Sequence, residues 1–142
     1  MPINLKVKRL DPRAQLPRHA LQGDAGLDLF CLEEATIPPG ARHIFSTGIA
    51  MEIPEGYVGL VWDRSGHSNK RGLKIFGGVI DSGYRGEVLV CLYNSTSEPV
   101  TLAAGSAVAQ ILIQRIEEGH IIESDDLNEG VRGVRGFGST GM

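Results

Sequence analysis

The sequence predicts an all-β protein, and three observations carry that expectation. Nineteen glycines and seven prolines are spread along 142 residues rather than clustered. Short apolar runs alternate with polar residues at the two-residue period of a strand, and no long stretch keeps the 3.6-residue period of a helix. Glycine and proline at this density cut a chain into many turns between short strands.

Residues 3–9 are the first expected strand, with Ile3, Leu5 and Val7 on one face, followed by a proline-containing connector over 11–20. In residues 24–30, DAGLDLF, Leu27 and Leu29 alternate with Asp28, so Asp28 is expected on the strand face opposite the leucines. Residues 36–42 are expected to turn, because Pro38 and Pro39 fix φ and Gly40 can supply a positive φ. Strands are expected at 44–53 and 57–62, separated by a turn at Pro54, Glu55 and Gly56.

Residues 63–72, DRSGHSNKRG, break the pattern with ten polar or small residues. A solvated loop explains that composition. Arg64, Ser65 and Gly66 also combine a guanidinium fork, a hydroxyl and a closely approachable backbone, a set suited to a phosphate. Residues 77–88, GGVIDSGYRGEV, read as a β-hairpin: Val79 and Ile80 form one strand, Ser82 and Gly83 the turn, and Val88, Leu89 and Val90 open the other. Asp81 and Tyr84 flank the turn. They can line one cleft, the acid as a base and the ring as a flat wall, or serve only an Asx-type turn and sheet packing.

Strands are next expected at 89–93 and 100–102, joined by a polar turn over 94–99. The run 108–113, VAQILI, is a buried strand interrupted by Gln110, either an exposed amide or a donor set in a cleft. Between Glu117 and Glu129 there are six acidic residues and no Lys or Arg, after which Arg132 and Arg135 reverse the sign. The closing VRGVRGFGSTGM is rich in glycine and has little to bury, the composition of a lid or of a plain terminus. The expected organisation is therefore a β domain over 1–130 and a flexible arm over 131–142.

Composition excludes several classes. A net charge of −3 offers no basic face for a nucleic-acid backbone. Cys31 and Cys91 are isolated, so neither a disulfide framework nor a zinc site is expected, and a reducing, cytoplasmic setting fits. The first residues, MPINLKVKRL, contain no apolar run of signal or transmembrane length, so a soluble, unprocessed protein without membrane partners is expected.

Five separated segments, AGLDLF, RSG with Gly72, GGVIDSGYRGEV, VAQILI and RGVRGFGSTG, resemble in order the five motifs of the trimeric deoxyuridine triphosphate nucleotidohydrolase, or dUTPase, family. The resemblance implies a distorted jelly-roll-like β-barrel with a glycine-rich closing arm. It also implies a homotrimer whose active sites are shared between subunits, and hydrolysis of dUTP to dUMP and pyrophosphate, which limits uracil in DNA. Asp81 would activate the attacking water and contact the 3′-hydroxyl, and Tyr84 would pack under the deoxyribose. Main-chain groups around Gly78, Val79 and Ile80, with Leu89, would read uracil. Arg64, Ser65 and Gly66 would hold the α- and β-phosphates, with Gln110 adding a donor. Arg132, Phe137, Gly138, Ser139 and Thr140 would close over the nucleotide, Phe137 on uracil. Magnesium would ride on the triphosphate, with Asp28 reaching it through water.

Six positions depart from the family pattern. Asp63 stands where proline is usual and is expected to point away from phosphates or pair with Lys70 or Arg71. His67 and Ser68 replace a small apolar pair, and His67 is expected to be an exposed loop histidine. Ser106 and Ala107 stand where an acid and an arginine are common, and Arg135 replaces a frequent glycine. Deoxycytidine triphosphate deaminase shares the fold, but its catalytic glutamate falls at Cys91 here, which disfavours deamination. A non-catalytic nucleotide-binding regulator is the remaining alternative, opposed by the presence of Asp81, Tyr84, Gln110 and the arm.

Overall fold

The computed structural model describes residues 2–138. Among them are ten strands: β1 (Lys6–Arg9), β2 (Leu27–Phe30), β3 (Ala35–Ile37), β4 (Arg42–Glu52), β5 (Tyr57–Trp62), β6 (Leu73–Phe76), β7 (Val79–Ile80), β8 (Glu87–Asn94), β9 (Val100–Leu102) and β10 (Ala107–Arg115). One wide, π-type helical turn, Gly66–Lys70, lies between β5 and β6. The strands form a sheet ordered β1-β4-β8-β6, a second ordered β2-β10-β5-β7, and a β3-β9 pair. This is the distorted jelly-roll-like barrel that the motifs implied.

Alternation along the strands builds the core. In β6 Leu73 and Ile75 are buried while Lys74 and Phe76 are exposed, and in β8 Val88, Val90 and Leu92 turn inward. They meet Leu29, Val61, Val108 and Ile111 of the other sheet in one cluster, each such side chain contributing about 1.5–3 kcal/mol on burial. The buried amide of Asn94 is satisfied on both ends. Its Nδ2 donates to the carbonyls of Ile37 at 2.9 Å and Glu98 at 2.7 Å, and its Oδ1 accepts from Thr96, which pins the 94–99 turn.

Several expectations are corrected. The first strand begins at Lys6 rather than residue 3. Only the middle of 36–42 turns: β3 takes Ala35–Ile37 and Arg42 already belongs to β4. The β-branched Thr36 lies opposite Thr101 with the hydroxyls 2.7 Å apart, a cross-strand pair that holds this stretch extended. Strand β6 and the helical turn were not foreseen.

The expected hairpin is also corrected. β7 and β8 do not pair with each other: β7 pairs with β5, Gly59 opposite Ile80 and Leu60 opposite Val79, while β8 pairs with β4 and β6. Residues 77–89 therefore form a corner that crosses from one sheet to the other. Gly77 (φ 79°) and Gly78 (φ 123°) make the crossing possible. A Cβ on Gly78 would lie 2.6 Å from the Val61 carbonyl, and the Gly78 carbonyl instead accepts the Val61 N–H at 2.7 Å.

Beyond Arg115 the described chain has no strand or helix, and Ile121, Ile122, Leu127, Val131 and Val134 are almost fully exposed. No helix among the described residues is long and apolar enough to cross a membrane.

Candidate active site

Residues of the first, second and fourth motifs converge on one recess of about 340 Å³, lined by Asp24, Gly26, Asp28, Arg64, Ser65, Gly66 and Gln110. The sheet register explains the convergence: Gln110 of β10 lies opposite Asp28 on one side and Trp62 on the other. Arg64 follows two residues after Trp62, and its Nε lies 3.2 Å from Asp28 Oδ1. Both partners are partly sheltered, so the guanidinium is oriented while its outer N–H groups remain for an anion. Gln110 Nε2 donates to the Asp63 carbonyl at 2.8 Å.

The expected polar loop is thus a structured grip. Ser65 precedes the helical turn and makes no capping hydrogen bond with its side chain among the described residues. His67, expected to be exposed, is half-buried, and its Nε2 lies 2.7 Å from the Ala107 carbonyl of β10. The composition carried no sign of this partner because it lies 40 residues away. Arg71 donates to the Thr101 carbonyl at 2.8 Å and Ser95 to that of Gly72 at 2.7 Å, so the loop is tethered along its length. The Asp63 carboxylate points away from the recess, but to Lys74 rather than Lys70 or Arg71.

Gly26 was missed as a site residue. A Cβ there would lie 2.0 Å from Gln110 Oε1, so only glycine lets the Gln110 amide settle against this backbone. A glycine directly ahead of the alternating LDLF run was the available signal.

The third-motif residues form a separate recess of about 200 Å³ between Val79, Ile80, Asp81, Tyr84, Glu87 and Leu89. Tyr84 N–H donates to the Asp81 carbonyl at 3.1 Å, closing the turn, and Tyr84 Oη donates to the Glu87 carbonyl at 2.8 Å. Asp81 and Tyr84 therefore share one concavity with Leu89, as expected. Gly78 lies outside it, against Val61. Arg132 and Phe137 are exposed, Phe137 at a positive φ of 49° and Gly138 at 90°. Ser139 and Thr140 lie outside the described residues.

The two recesses share no lining residue. β2 and β7 are opposite edges of one four-stranded sheet, and Ile80 lies level with Gly59 whereas Asp28 lies level with Trp62. At strand spacings of about 4.8 Å and a rise of about 3.3 Å per residue, Asp81 and the Asp28–Arg64 pair are roughly 15–20 Å apart.

The sequence matches the dUTPase family over residues 12–141. The chain belongs to the dUTPase family. It is 45% identical to the deoxyuridine 5′-triphosphate nucleotidohydrolase of Corynebacterium diphtheriae over 99% of this chain and 95% of that protein. To the enzyme of the same name from Thermobifida fusca it is 43% identical, over 98% and 79% of the two chains. The fold superposes on the dUTPase of Staphylococcus bacteriophage 80alpha with dUpNHpp at a TM-score of 0.86 and 30% identity, over 98% of this chain and 99% of that one. A variant dUTPase of phage phi11 of S. aureus, whose structure reveals the coordination of a structural Mg(II) ion, matches with a TM-score of 0.83 and 27% identity, over 89% and 100%.

Proposed function

We propose that the two recesses are halves of one dUTP-hydrolysing site, each completed by another copy of this chain. The activity is hydrolysis of dUTP to dUMP and pyrophosphate. The observation that carries the shared site is the separation of Asp81 from Arg64. A water in reach of Asp81 and an α-phosphate gripped by Arg64 must lie within a few hydrogen-bond lengths of each other, and roughly 15–20 Å within a single chain is too far.

Uncovered apolar surface supports assembly. Val79 is 67% exposed, Trp62 51% and Leu89 47%, and beyond β10 Ile121, Ile122, Leu127, Val131, Val134 and Phe137 leave their apolar side chains in solvent. A homotrimer closes such heterologous contacts by symmetry.

In the assembled site Asp81 takes a proton from a water. The water oxygen bonds to the α-phosphorus, the bridging bond to the β-phosphate breaks, and pyrophosphate leaves. Tyr84 supports the deoxyribose, and main-chain groups at Gly78, Val79 and Ile80, with Leu89, read the uracil edge. A rigid corner rejects cytosine by leaving its own donors and acceptors unpaired, and thymine by the bulk of the methyl. Arg64, Ser65, Gly66 and Gln110 hold the α- and β-phosphates. Residues 131–142 serve as the arm, with Phe137 over uracil and Arg132, Gly138, Ser139 and Thr140 at the γ-phosphate. Their closure excludes water and strengthens the electrostatics of the site.

Among the described residues no three His, Cys, Asp or Glu side chains gather as a metal cage, whereas Asp24 and Asp28 line the phosphate recess. That donor set fits magnesium held chiefly by phosphate oxygens and water, with Asp28 in contact through water. When bound, magnesium neutralises and orients the phosphate oxygens. Cys31 and Cys91 are both free thiols, which supports a cytoplasmic setting.

A panel of dUTP, dCTP, dTTP and UTP with magnesium, scored by chromatography, tests this reading. Selective conversion of dUTP to dUMP is expected. Conversion of dCTP to a uracil nucleotide would point to deamination instead, and no conversion of any of the four would point to a binding protein.

A further inference from the structure

Asp63 is the residue at which β5 leaves its sheet for the phosphate-gripping loop. Its side chain is 15% exposed and faces β6, the edge strand of the other sheet. Oδ1 accepts the Ile75 N–H at 2.6 Å, and Oδ2 accepts from Lys74 Nζ at 2.6 Å. The main-chain carbonyl of the same residue accepts Gln110 Nε2 at 2.8 Å, and the Gln110 amide rests on the bare Cα of Gly26. A continuous line of contacts therefore runs from β6 through Asp63 to Gln110 and Gly26. Arg64, which pairs with Asp28, is the next residue along the chain.

A proline at this place would restrict the backbone through its ring. Here the restriction comes from two charge-assisted hydrogen bonds, which are short and strong but depend on the carboxylate. Asp63 does not line the phosphate recess, so its charge is withdrawn from incoming phosphates and spent on Lys74.

We propose that Asp63 is a positioning residue for the phosphate recess, anchored on β6 and acting through the Gln110 amide and the adjoining Arg64. It touches no substrate in this arrangement. Removing the carboxylate frees the Asp63 peptide to rotate, which turns the main-chain carbonyl away from the Gln110 amide that it fixes. The proposal rests on the dUTPase reading of the recess.

The test compares wild type, Asp63→Ala and Asp63→Asn. Asp63→Ala is expected to lower kcat/KM for dUTP by about 10- to 100-fold, mostly through KM, since misplacing a binding group by about 1 Å costs up to that much. Asp63→Asn keeps an acceptor for the Ile75 N–H and is expected to recover most of the loss. Trp62, the sole tryptophan and the immediate neighbour of Asp63, supplies an optical readout of dUpNHpp binding without turnover. Affinity for dUpNHpp is expected to fall by the same factor in Asp63→Ala, and affinity for dUMP, which lacks the β- and γ-phosphates, to fall less.

Wild-type KM and dUpNHpp affinity in Asp63→Ala, with or without a lower Tm, would overturn the proposal and leave Asp63 a fastener between sheets. If Asp63→Ala does not fold, the same reading is taken from Lys74→Ala, which removes the partner of Asp63 Oδ2: a raised KM supports the proposal and a wild-type KM overturns it. A wild-type protein that leaves dUTP intact would instead defeat the underlying reading of the recess, and the proposal with it.

Discussion

The phosphate recess and the 77–89 corner differ in how complete they are within one chain. In the recess Arg64 is paired with Asp28, Gln110 is held by the Asp63 carbonyl, and His67 ties the loop to Ala107. At the corner Asp81 is exposed, and Val79, Tyr84 and Leu89 stand 67%, 43% and 47% in solvent. The recess is pre-organised to take charge, and the corner is an apolar wall with nothing opposite it. On the shared-site proposal, a second copy belongs against the apolar corner, the side that gains most from losing water.

The strongest way to break this comparison is complementation between two inactive variants. Asp81→Asn is expected to lower kcat by about 10²–10⁴-fold as a lost general base. Arg64→Ala is expected to lose about 10²–10³-fold as a lost phosphate donor. If each site draws Arg64 from one copy and Asp81 from another, co-refolding equal amounts of the two variants should restore about one quarter of wild-type turnover, because independent copies then meet in one intact pairing out of four. If both residues serve a site within one chain, the mixture stays as inactive as its parts. A steady-state assay after co-refolding decides between them.

The same contrast explains what could be read from the sequence. β5 and β9 have their expected bounds because turn residues punctuate short apolar runs on either side. Asp81, Tyr84 and Leu89 line one recess, since a tight turn brings near neighbours together whatever the flanking strands do. The pairing of those strands was not legible. Adjacency favours β7 with β8, yet Gly77 and Gly78 turn β7 onto β5, and that choice is made by the close approach to Val61. The Asp63 partner was misplaced for a related reason: Lys70 and Arg71 are nearer in sequence, but β6 presents Lys74 and the Ile75 N–H on the side that faces β5. Strand β6 itself, only four residues long, was hidden by the polar loop before it.

A smaller effect sharpens the phosphate half alone. Gly26→Ala places a methyl 2.0 Å from the present position of Gln110 Oε1, so the amide must leave the Asp63 carbonyl or the strand must shift. The expected outcome is a rise in KM for dUTP of about tenfold with kcat changed less, the pattern of lost binding rather than lost chemistry. Selectivity for uracil over cytosine should stay at its wild-type ratio, because the corner is untouched. A changed base preference in Gly26→Ala would show that the two recesses are mechanically coupled, and their separation would then describe geometry without describing function.

The smallest expected effect is a pH dependence that belongs to neither half. The Asp11 carboxyl is held down to about 2, first by the Arg13 side chain at 2.9 Å and then by the Arg13 N–H, from an ordinary value of 3.8. A carboxylate whose folded value is lowered stabilises the fold above its unfolded value and loses that contribution as pH falls through the folded one. The contribution of Asp11 is therefore complete above about pH 4 and fades between about 4 and 2. Thermal melts of wild type and Asp11→Asn are expected to differ slightly at pH 7 and to converge below pH 4, the pair being at the surface and worth little. A gap that widens on acidification would reverse the sign and remove the pairing. Because this tether is intact across the range in which dUTP turnover is measured, activity lost above pH 4 does not come from Asp11. It then reports on the corner, the recess or the proposed contact between copies, and complementation at several pH values can assign it to one of them.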